Sequence, residues 1–151
     1  MLAAIVLTLA TATMPSAKGT AWMHPESFHL VVGMPRAEAV KTLADGGWKA
    51  VKGRDANELI VDYTQTKAMT LQFRKERLHS IRFELFGLLP EVQRAFDEQK
   101  SVLAKRLGEP RPTRSKSTLI YDGTLPNVMV VMAENQERGL PMLAVRYFDP
   151  R

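Results

Sequence analysis

The sequence predicts an α+β protein, with two helices packed on one face of a six- to seven-stranded antiparallel sheet and an α-β-β-β type of repeat in outline. Apolar residues recur at helical spacing in two segments, and each segment is closed by glycine. The runs after each helix alternate apolar and polar side chains, which is typical of antiparallel strands with one face toward water. A doubly wound parallel sheet would need a helix between most strands, and this chain offers two.

The first helix is predicted within VVGMPRAEAVKTLADGGW, residues 31–48. Pro35 has the fixed φ that suits a helix start, and Glu38 lies in the first turn, near the positive end of the helix dipole. Gly46 and Gly47 provide a left-handed stop. The predicted apolar face consists of Ala37, Val40, Leu43 and Ala44.

Four strands are predicted after this helix. The first is short and lies within Trp48–Lys52, and the other three are half-buried strands with period two. Their apolar positions are Leu59, Val61 and Tyr63, then Met69, Leu71 and Phe73, then Ile81, Phe83 and Leu85.

The second helix is predicted to begin after the break at Gly87–Pro90 and to end at Gly108. Its acidic residues come early and its basic residues come late, an order that suits the helix dipole. Its predicted buried stripe is Val92, Ala95, Phe96, Gln99, Val102, Leu103 and Leu107. Three further strands are predicted at residues 117–121, 128–133 and 142–148, so the order of elements repeats at about half the chain length.

The first residues are predicted to be an export signal. Leu2–Ala12 is an apolar run of the length of a secretory core, too short to cross a bilayer, and it ends in a small-x-small sequence. The basic residues that normally precede such a run are missing, and the alternative is a buried N-terminal helix in a cytoplasmic protein. We therefore divide the chain into an export signal at 1–12, an irregular lead at 13–30 and a single α+β domain at 31–151.

The composition is that of a globular protein, with 45% hydrophobic residues, 25% charged residues and a net charge of +5. The mild positive charge favours an anionic surface without choosing one. There is no cysteine, which excludes disulfides, thiolate chemistry and a lipid-modified cysteine. The exported form is therefore expected to be soluble, in the periplasm or secreted.

Motifs that carry chemistry are missing from the sequence, including phosphate-binding loops, G-x-S-x-G and H-E-x-x-H. The histidines His24, His29 and His79 lack metal-binding spacing, and surface positions are predicted for them. Asp62 and Glu84 are expected on the solvated face of the sheet. We therefore predict a protein that is not an enzyme, with no catalytic residue, cofactor, metal or small-molecule substrate.

Basic residues and a few apolar residues provide the candidate interaction surface. The basic clusters could bind an anionic surface, or could serve only solubility and the helix dipole. Nucleic acid is not expected as a partner, because the aromatic residues alternate with the charges instead of standing among them. The apolar residues of the lead could form a contact patch or could close the edge of the core. The candidate residues are Arg74, Arg82, Lys105, Arg106, Arg111, Arg114, Trp22 and Phe28.

The segment GMPRAEAVKTLADGG resembles the G-M-[ST]-x-x-[EQ]-V-x-x-L-L-G element of the SmpA/OmlA (BamE-like) envelope proteins, whose relatives have the β-lactamase-inhibitor-protein-like fold. Gly33, Met34, Glu38, Leu43 and Gly46 match it. The later LQFRKERLHSIRFE is similar to the strand-turn-strand hairpin of that family, so the resemblance covers about residues 31–86. Two departures are the proline at position 35, where the family has Ser or Thr, and the missing lipid-anchor cysteine.

The resemblance implies a non-catalytic protein that acts by protein–protein contact in the cell envelope, with an envelope protein as its partner. The alternative is a proteinaceous inhibitor of a secreted hydrolase, which would need exposed aromatic residues beyond the sheet. Tyr63 and Tyr121 are the candidates for that role. A small enzyme is the third hypothesis, and it would require a deep cavity with convergent polar groups.

Overall fold

The computed structural model describes residues 19–123 and 126–151, with the side chains of Asp62 and Tyr63 left outside the description. It confirms an α+β protein with one antiparallel sheet of seven strands and two helices. The predicted export signal lies outside the described residues. The elements are α1 (Arg36–Asp45), β1 (Val51–Lys52), β2 (Glu58–Thr64), β3 (Lys67–Arg74), β4 (Arg77–Phe86), α2 (Leu89–Leu107), β5 (Thr118–Tyr121), β6 (Asn127–Asn135) and β7 (Leu140–Phe148).

The sheet has the strand order β1-β2-β3-β4-β7-β6-β5, and every neighbouring pair is antiparallel. Each helix is followed by a meander, and the last strands of the two meanders, β4 and β7, pair at the centre. The order of elements that the sequence repeats is therefore also repeated in the sheet. The first predicted strand is shorter than expected, because only Val51 and Lys52 pair with β2.

Helix α1 begins one residue after Pro35, whose ψ of 143° is not helical and whose carbonyl accepts the first helical hydrogen bond, from Ala39 N. The glycine stop is confirmed, because Gly47 has a φ of 78° and donates to the Ala44 carbonyl at 3.0 Å. The predicted apolar face was wrong except at one position. The helix buries Ala39 and Leu43, whereas Ala37, Val40 and Ala44 are exposed.

The rotation of α1 follows from the backbone pairing that precedes it. Gly33 N donates to the Leu78 carbonyl at 2.7 Å, and Leu78 N donates to the Met34 carbonyl at 2.8 Å. Arg36 N then donates to the Glu76 carbonyl at 2.9 Å. These bonds fix how the chain enters the helix, and they turn residues 39 and 43 toward the core.

The lead enters the core instead of forming a contact patch. Its described part contains two short 3₁₀ helices, Ala21–Met23 and Pro25–Phe28. Trp22 and Phe28 are each 2% exposed, so these two candidates for the interaction surface were wrong and the core-edge alternative holds. At the end of the lead, His29 adopts a left-handed turn with φ of 55°.

One core cluster holds buried residues of the lead, of both helices and of the sheet. The sheet contributes one alternating set, for example the row Met69, Phe83, Val145 and Val130, whose members face one another across four strands. Helix α2 contacts β5, β6 and β7, and α1 contacts β4. Five of the seven predicted α2 positions are buried, while Val102 is half-buried and Leu107 is exposed: the buried ones are Val92, Ala95, Phe96, Gln99 and Leu103.

Candidate interaction surface

The alternate strand positions form the outer face of the sheet, which is turned away from the core cluster. On β3 and β4 this face is polar, with Thr70, Gln72, Ser80, Arg82 and Glu84. On the strands of the second half it is mainly apolar, with Arg146 of β7 lying opposite Met129. Its apolar members there are Ile120, Met129, Val131, Ala133, Met142, Ala144 and Phe148, most of them half-buried.

A basin of about 430 Å³ lies in the polar half of the outer face. The basin is a depression because Glu84 is paired with a small side chain on each neighbouring strand, Ala68 on β3 and Ala144 on β7. The Glu84 side chain is 12% exposed, and one of its oxygens accepts a hydrogen bond from Arg82 Nε at 2.9 Å. A large side chain at either alanine position would fill this depression.

Two turns form the rim of the basin. Arg54, in the turn before β2, contacts Glu137, in the β6–β7 turn, at 3.5 Å. Arg138 donates to the Gln65 carbonyl at 3.0 Å, and its guanidinium lies 4.1 Å from the centre of the Phe86 ring. The Arg54–Glu137 side chains are 83% and 81% exposed, so the pair contributes little stability and does not close the basin.

The charges of the basin are already partnered within the chain. Glu58 accepts a hydrogen bond from Arg54 N at 3.2 Å and another from Gln72 Nε2 at 3.4 Å. Outside the basin, on the same face, burial and the like charge of Arg82 lower the pKa of Arg146, whose guanidinium lies 5.1 Å from the centre of the Phe148 ring. The Glu58 and Glu84 carboxylates are therefore nearly buried and are both held by hydrogen bonds within the chain.

The basic candidates do not form one site. Arg82 lies on the outer face, Arg74 lies at the end of β3, and Lys105 and Arg106 lie in the last turn of α2. Arg106 forms an ion pair with Glu26 at 2.5 Å, which ties α2 to the lead. At the sheet edge, Arg111 forms an ion pair with Asp122 at 3.3 Å, its backbone N donates to the Ile120 carbonyl at 2.7 Å, and Arg114 lies exposed in the same connection.

His24 is buried, 5% exposed, so the predicted surface position was wrong. Its Nδ1 lies 2.7 Å from the hydroxyl of Tyr147, which also lies 3.0 Å from the Met23 carbonyl. Burial lowers the pKa of His24; Glu26 opposes this effect and Arg106 adds to it. Burial likewise raises the pKa of Tyr147. This pair fastens the lead to β7 and is not exposed to a substrate.

Within the residues that the structure describes, no three His, Asp or Glu side chains converge on a position where they could hold a metal ion. The inhibitor hypothesis required exposed aromatic residues, and Tyr63 and Tyr121 were the candidates. Tyr121 is 1% exposed and its hydroxyl donates to the Lys100 carbonyl at 3.3 Å, so its side chain cannot contact another protein. The side chain of Tyr63 lies outside the description.

Over residues 19–123 and 126–151, neither helix has the combination of length and apolar composition that a membrane span requires.

Comparison with protein-family models, with curated proteins and with solved structures gave no significant match. The chain's own geometry therefore has to support any assignment. The apolar half of the outer face is the main feature that sequence reasoning missed. The signal was present in VMVVMA, residues 128–133, whose apolar residues do not alternate with polar ones and therefore predict a strand that is apolar on both sides.

Proposed function

We propose that this chain is a non-catalytic binding protein that acts by protein–protein contact in the cell envelope, as a periplasmic or secreted component. The observation that carries the proposal is the apolar half of the outer face. Met129, Val131 and Ala144 are half-buried and belong to neighbouring strands, so their accessible apolar surface is contiguous. Contiguous apolar surface with a polar rim is typical of a protein contact site.

The fold supports this assignment if both helices cover the opposite face of the sheet, as we propose. Buried residues of α1 and α2, such as Leu43 and Leu103, belong to the same cluster as Phe83 and Val145. The outer face carries the other set of strand residues and is then left to a partner. Antiparallel sheets commonly have one packed face and one solvated face. When the solvated face is apolar, it is typical of a site that binds another protein.

The envelope location has separate support. The apolar run Leu2–Ala12 has the length of an export signal, and residues 31–86 resemble the SmpA/OmlA (BamE-like) envelope proteins. The helix-to-meander order of that resemblance agrees with α1 followed by β1 to β4. An envelope protein is therefore the partner class that we propose.

A substitution on the outer face tests the proposal. Tagged full-length protein, incubated with envelope extract at low salt, is expected to recover a specific partner, and Val131→Lys is expected to reduce that recovery at least tenfold. The reason is that a lysine ammonium in the centre of the contact would have to be desolvated without a counter-ion. The recovered proteins are measured by quantitative mass spectrometry.

Val40→Lys is the matched control, because Val40 is 43% exposed on α1 and receives the same change of chemistry away from the outer face. It is expected to recover the partner as the unchanged protein does. An empty pull-down, or equal recovery with both variants, would count against the outer face as the contact. Matching circular dichroism spectra establish that both variants are folded.

A further inference from the structure

The end of the β3–β4 hairpin carries a dense group of cations. We call Arg74, Lys75, Arg77 and Arg151 the basic corner; together with His79, Gly33, Leu78 and Asp149 they line an open cleft of about 340 Å³. Asp149 is the one carboxylate among these lining residues, and Arg151 already holds it through two hydrogen bonds, at 3.1 and 3.2 Å. The four cations outnumber the nearby carboxylates, Asp149 and the turn residue Glu76, which gives this cleft a preference for anions.

The hairpin geometry concentrates the charge. Arg74 and Arg77 are directly opposite each other on β3 and β4. The turn between them, Lys75 and Glu76, has φ values of 51° and 59°, as a tight two-residue hairpin turn requires. Like charges directly opposite on neighbouring strands are unfavourable, so the fold tolerates a local repulsion that a bound anion would relieve.

The two guanidinium groups are held in place and still have donors to offer. Arg77 Nη1 donates to the Gly33 carbonyl at 2.8 Å, and Arg74 Nη1 donates to the Arg151 carbonyl at 3.4 Å. A guanidinium has five N–H donors, so one bond orients each group and leaves the others available. Side chains that are already oriented lose less entropy when a ligand binds.

We propose that the basic corner binds an acidic segment of the protein that docks on the outer face. Arg74 and Arg77 each follow or precede a core-facing residue, Phe73 and Leu78, so they lie on the outer-face side of the sheet. A partner that covers the outer face would therefore reach them. Arg74, Lys75, Arg77 and Arg151 are exposed, so one small anion would remain largely hydrated there, whereas several carboxylates on one segment would engage several cations together.

This inference rests on the proposed function, but its test does not need the partner. The probe is a fluorescein-labelled hexaglutamate peptide, titrated into the full-length protein at 20 mM salt and followed by fluorescence anisotropy. The double variant Arg74→Gln/Arg77→Gln is expected to weaken binding at least tenfold. The matched control is Lys105→Gln/Arg114→Gln, which loses the same charge at two basic positions outside the basic corner and is expected to change binding less than twofold.

A second variant guards against a folding defect. Lys75→Glu reverses one charge in the turn, at a position where the neighbouring Glu76 already shows that glutamate accepts this backbone conformation. It is expected to weaken hexaglutamate binding about fivefold or more. Equal losses in the double variant and its control would show a general charge effect and would overturn the proposal.

Two further titrations separate the alternative sources of negative charge. Inorganic phosphate, and vesicles with one third anionic lipid, are expected to compete with hexaglutamate only weakly. Vesicles that bind more tightly than the peptide, and lose that binding in Arg74→Gln/Arg77→Gln, would overturn the acidic segment in favour of a membrane surface. If the Val131→Lys pull-down fails while the peptide titration succeeds, the outer-face proposal is wrong and the basic corner still stands as an acidic-peptide site.

Discussion

Phe83→Ala is expected to destabilise this protein by about 3–5 kcal/mol, the range for truncating a fully buried phenylalanine. The Phe83 side chain is 0% exposed at the centre of the sheet. Its ring centre lies 6.2 Å from that of Trp22, 5.7 Å from that of Phe28 and 6.0 Å from that of Tyr147. Truncation would therefore leave a cavity between the lead and both halves of the sheet.

The measurement is chemical unfolding by urea, supported by thermal unfolding. For a chain of this size we expect Tm to fall by roughly 6–20 °C, at about 2–4 °C for each kcal/mol. Because Trp22 and Phe28 of the lead both pack against the Phe83 ring, amide exchange of residues 20–30 is expected to accelerate along with that of the sheet. Acceleration confined to the sheet would show that the lead is anchored independently of Phe83.

Phe148→Ala is the matched control. Phe148 lies on the outer face, is half-buried, and stacks against Arg146 instead of the core rings. Its truncation is expected to cost less than about 1.5 kcal/mol, because only part of the side chain is removed from water in the folded protein. Equal losses in the two variants would contradict the assignment of core face and outer face.

Much of the fold was predictable because periodicity reports local burial directly. The strands around Met69, Leu71 and Phe73 alternate without interruption, and the structure places all three in the core. The two helix ends at glycine were equally predictable, and Gly47 and Gly108 both have positive φ. These features depend on residues close in sequence, for which pattern arguments are sound.

The burial of the lead could not be predicted from periodicity. Trp22 and Phe28 have no helical or strand period. Their burial depends on contacts with residues distant in sequence, such as the rings of Phe83 and Trp48. The same limit applies to α1, whose rotation depends on hydrogen bonds from the Gly33–Arg36 segment to β4. Long-range pairing decided both outcomes, and a local pattern contains no information about it.

The sequence predicts on which side of the sheet some candidate residues lie, but not how the side chains of different strands combine. Arg74 and Arg82 lie on the outer-face side, because each is next in its strand to a core residue, Phe73 and Phe83 respectively. The depression at Glu84 depends on Ala68 and Ala144, which come from strands about 75 residues apart along the chain and meet Glu84 only through the sheet register. Alternation predicted which of these side chains point away from the core, but it could not predict the shape of the surface that they form.

The second large effect is expected at the buried His24–Tyr147 pair. A hydroxyl carries one proton and the Met23 carbonyl can only accept. Both contacts are therefore satisfied when Tyr147 donates to Met23 O and a neutral His24, protonated at Nδ1, donates to the Tyr147 oxygen. Tyr147→Phe leaves both partners without a hydrogen bond. It is expected to lower the free energy of unfolding by about 2 kcal/mol or more, since each unsatisfied buried group costs about 1–3 kcal/mol.

The same pair makes stability depend on pH. Burial holds the pKa of His24 below its ordinary value of 6.5, against the opposing charges of Glu26 and Glu98 and with a contribution from Arg106. Below pH 6.5 the unfolded chain binds a proton at this histidine that the folded chain does not bind until the pH reaches its lowered pKa. The contribution of His24 to stability is therefore complete above pH 6.5 and is lost as the pH falls from 6.5 to that lower value.

Urea unfolding at pH 8.0, 6.5 and 5.5 measures this effect. The unchanged protein is expected to lose stability across the series, and His24→Asn is expected to remove most of the loss, because an asparagine amide can still donate to Tyr147 but does not titrate. His29→Asn is the matched control, at an exposed left-handed position where asparagine is well tolerated. If His29→Asn flattens the profile as much as His24→Asn does, the proton is taken up elsewhere. If neither variant changes the slope, His24 is not held neutral by the fold, and the pH dependence of stability arises from other groups.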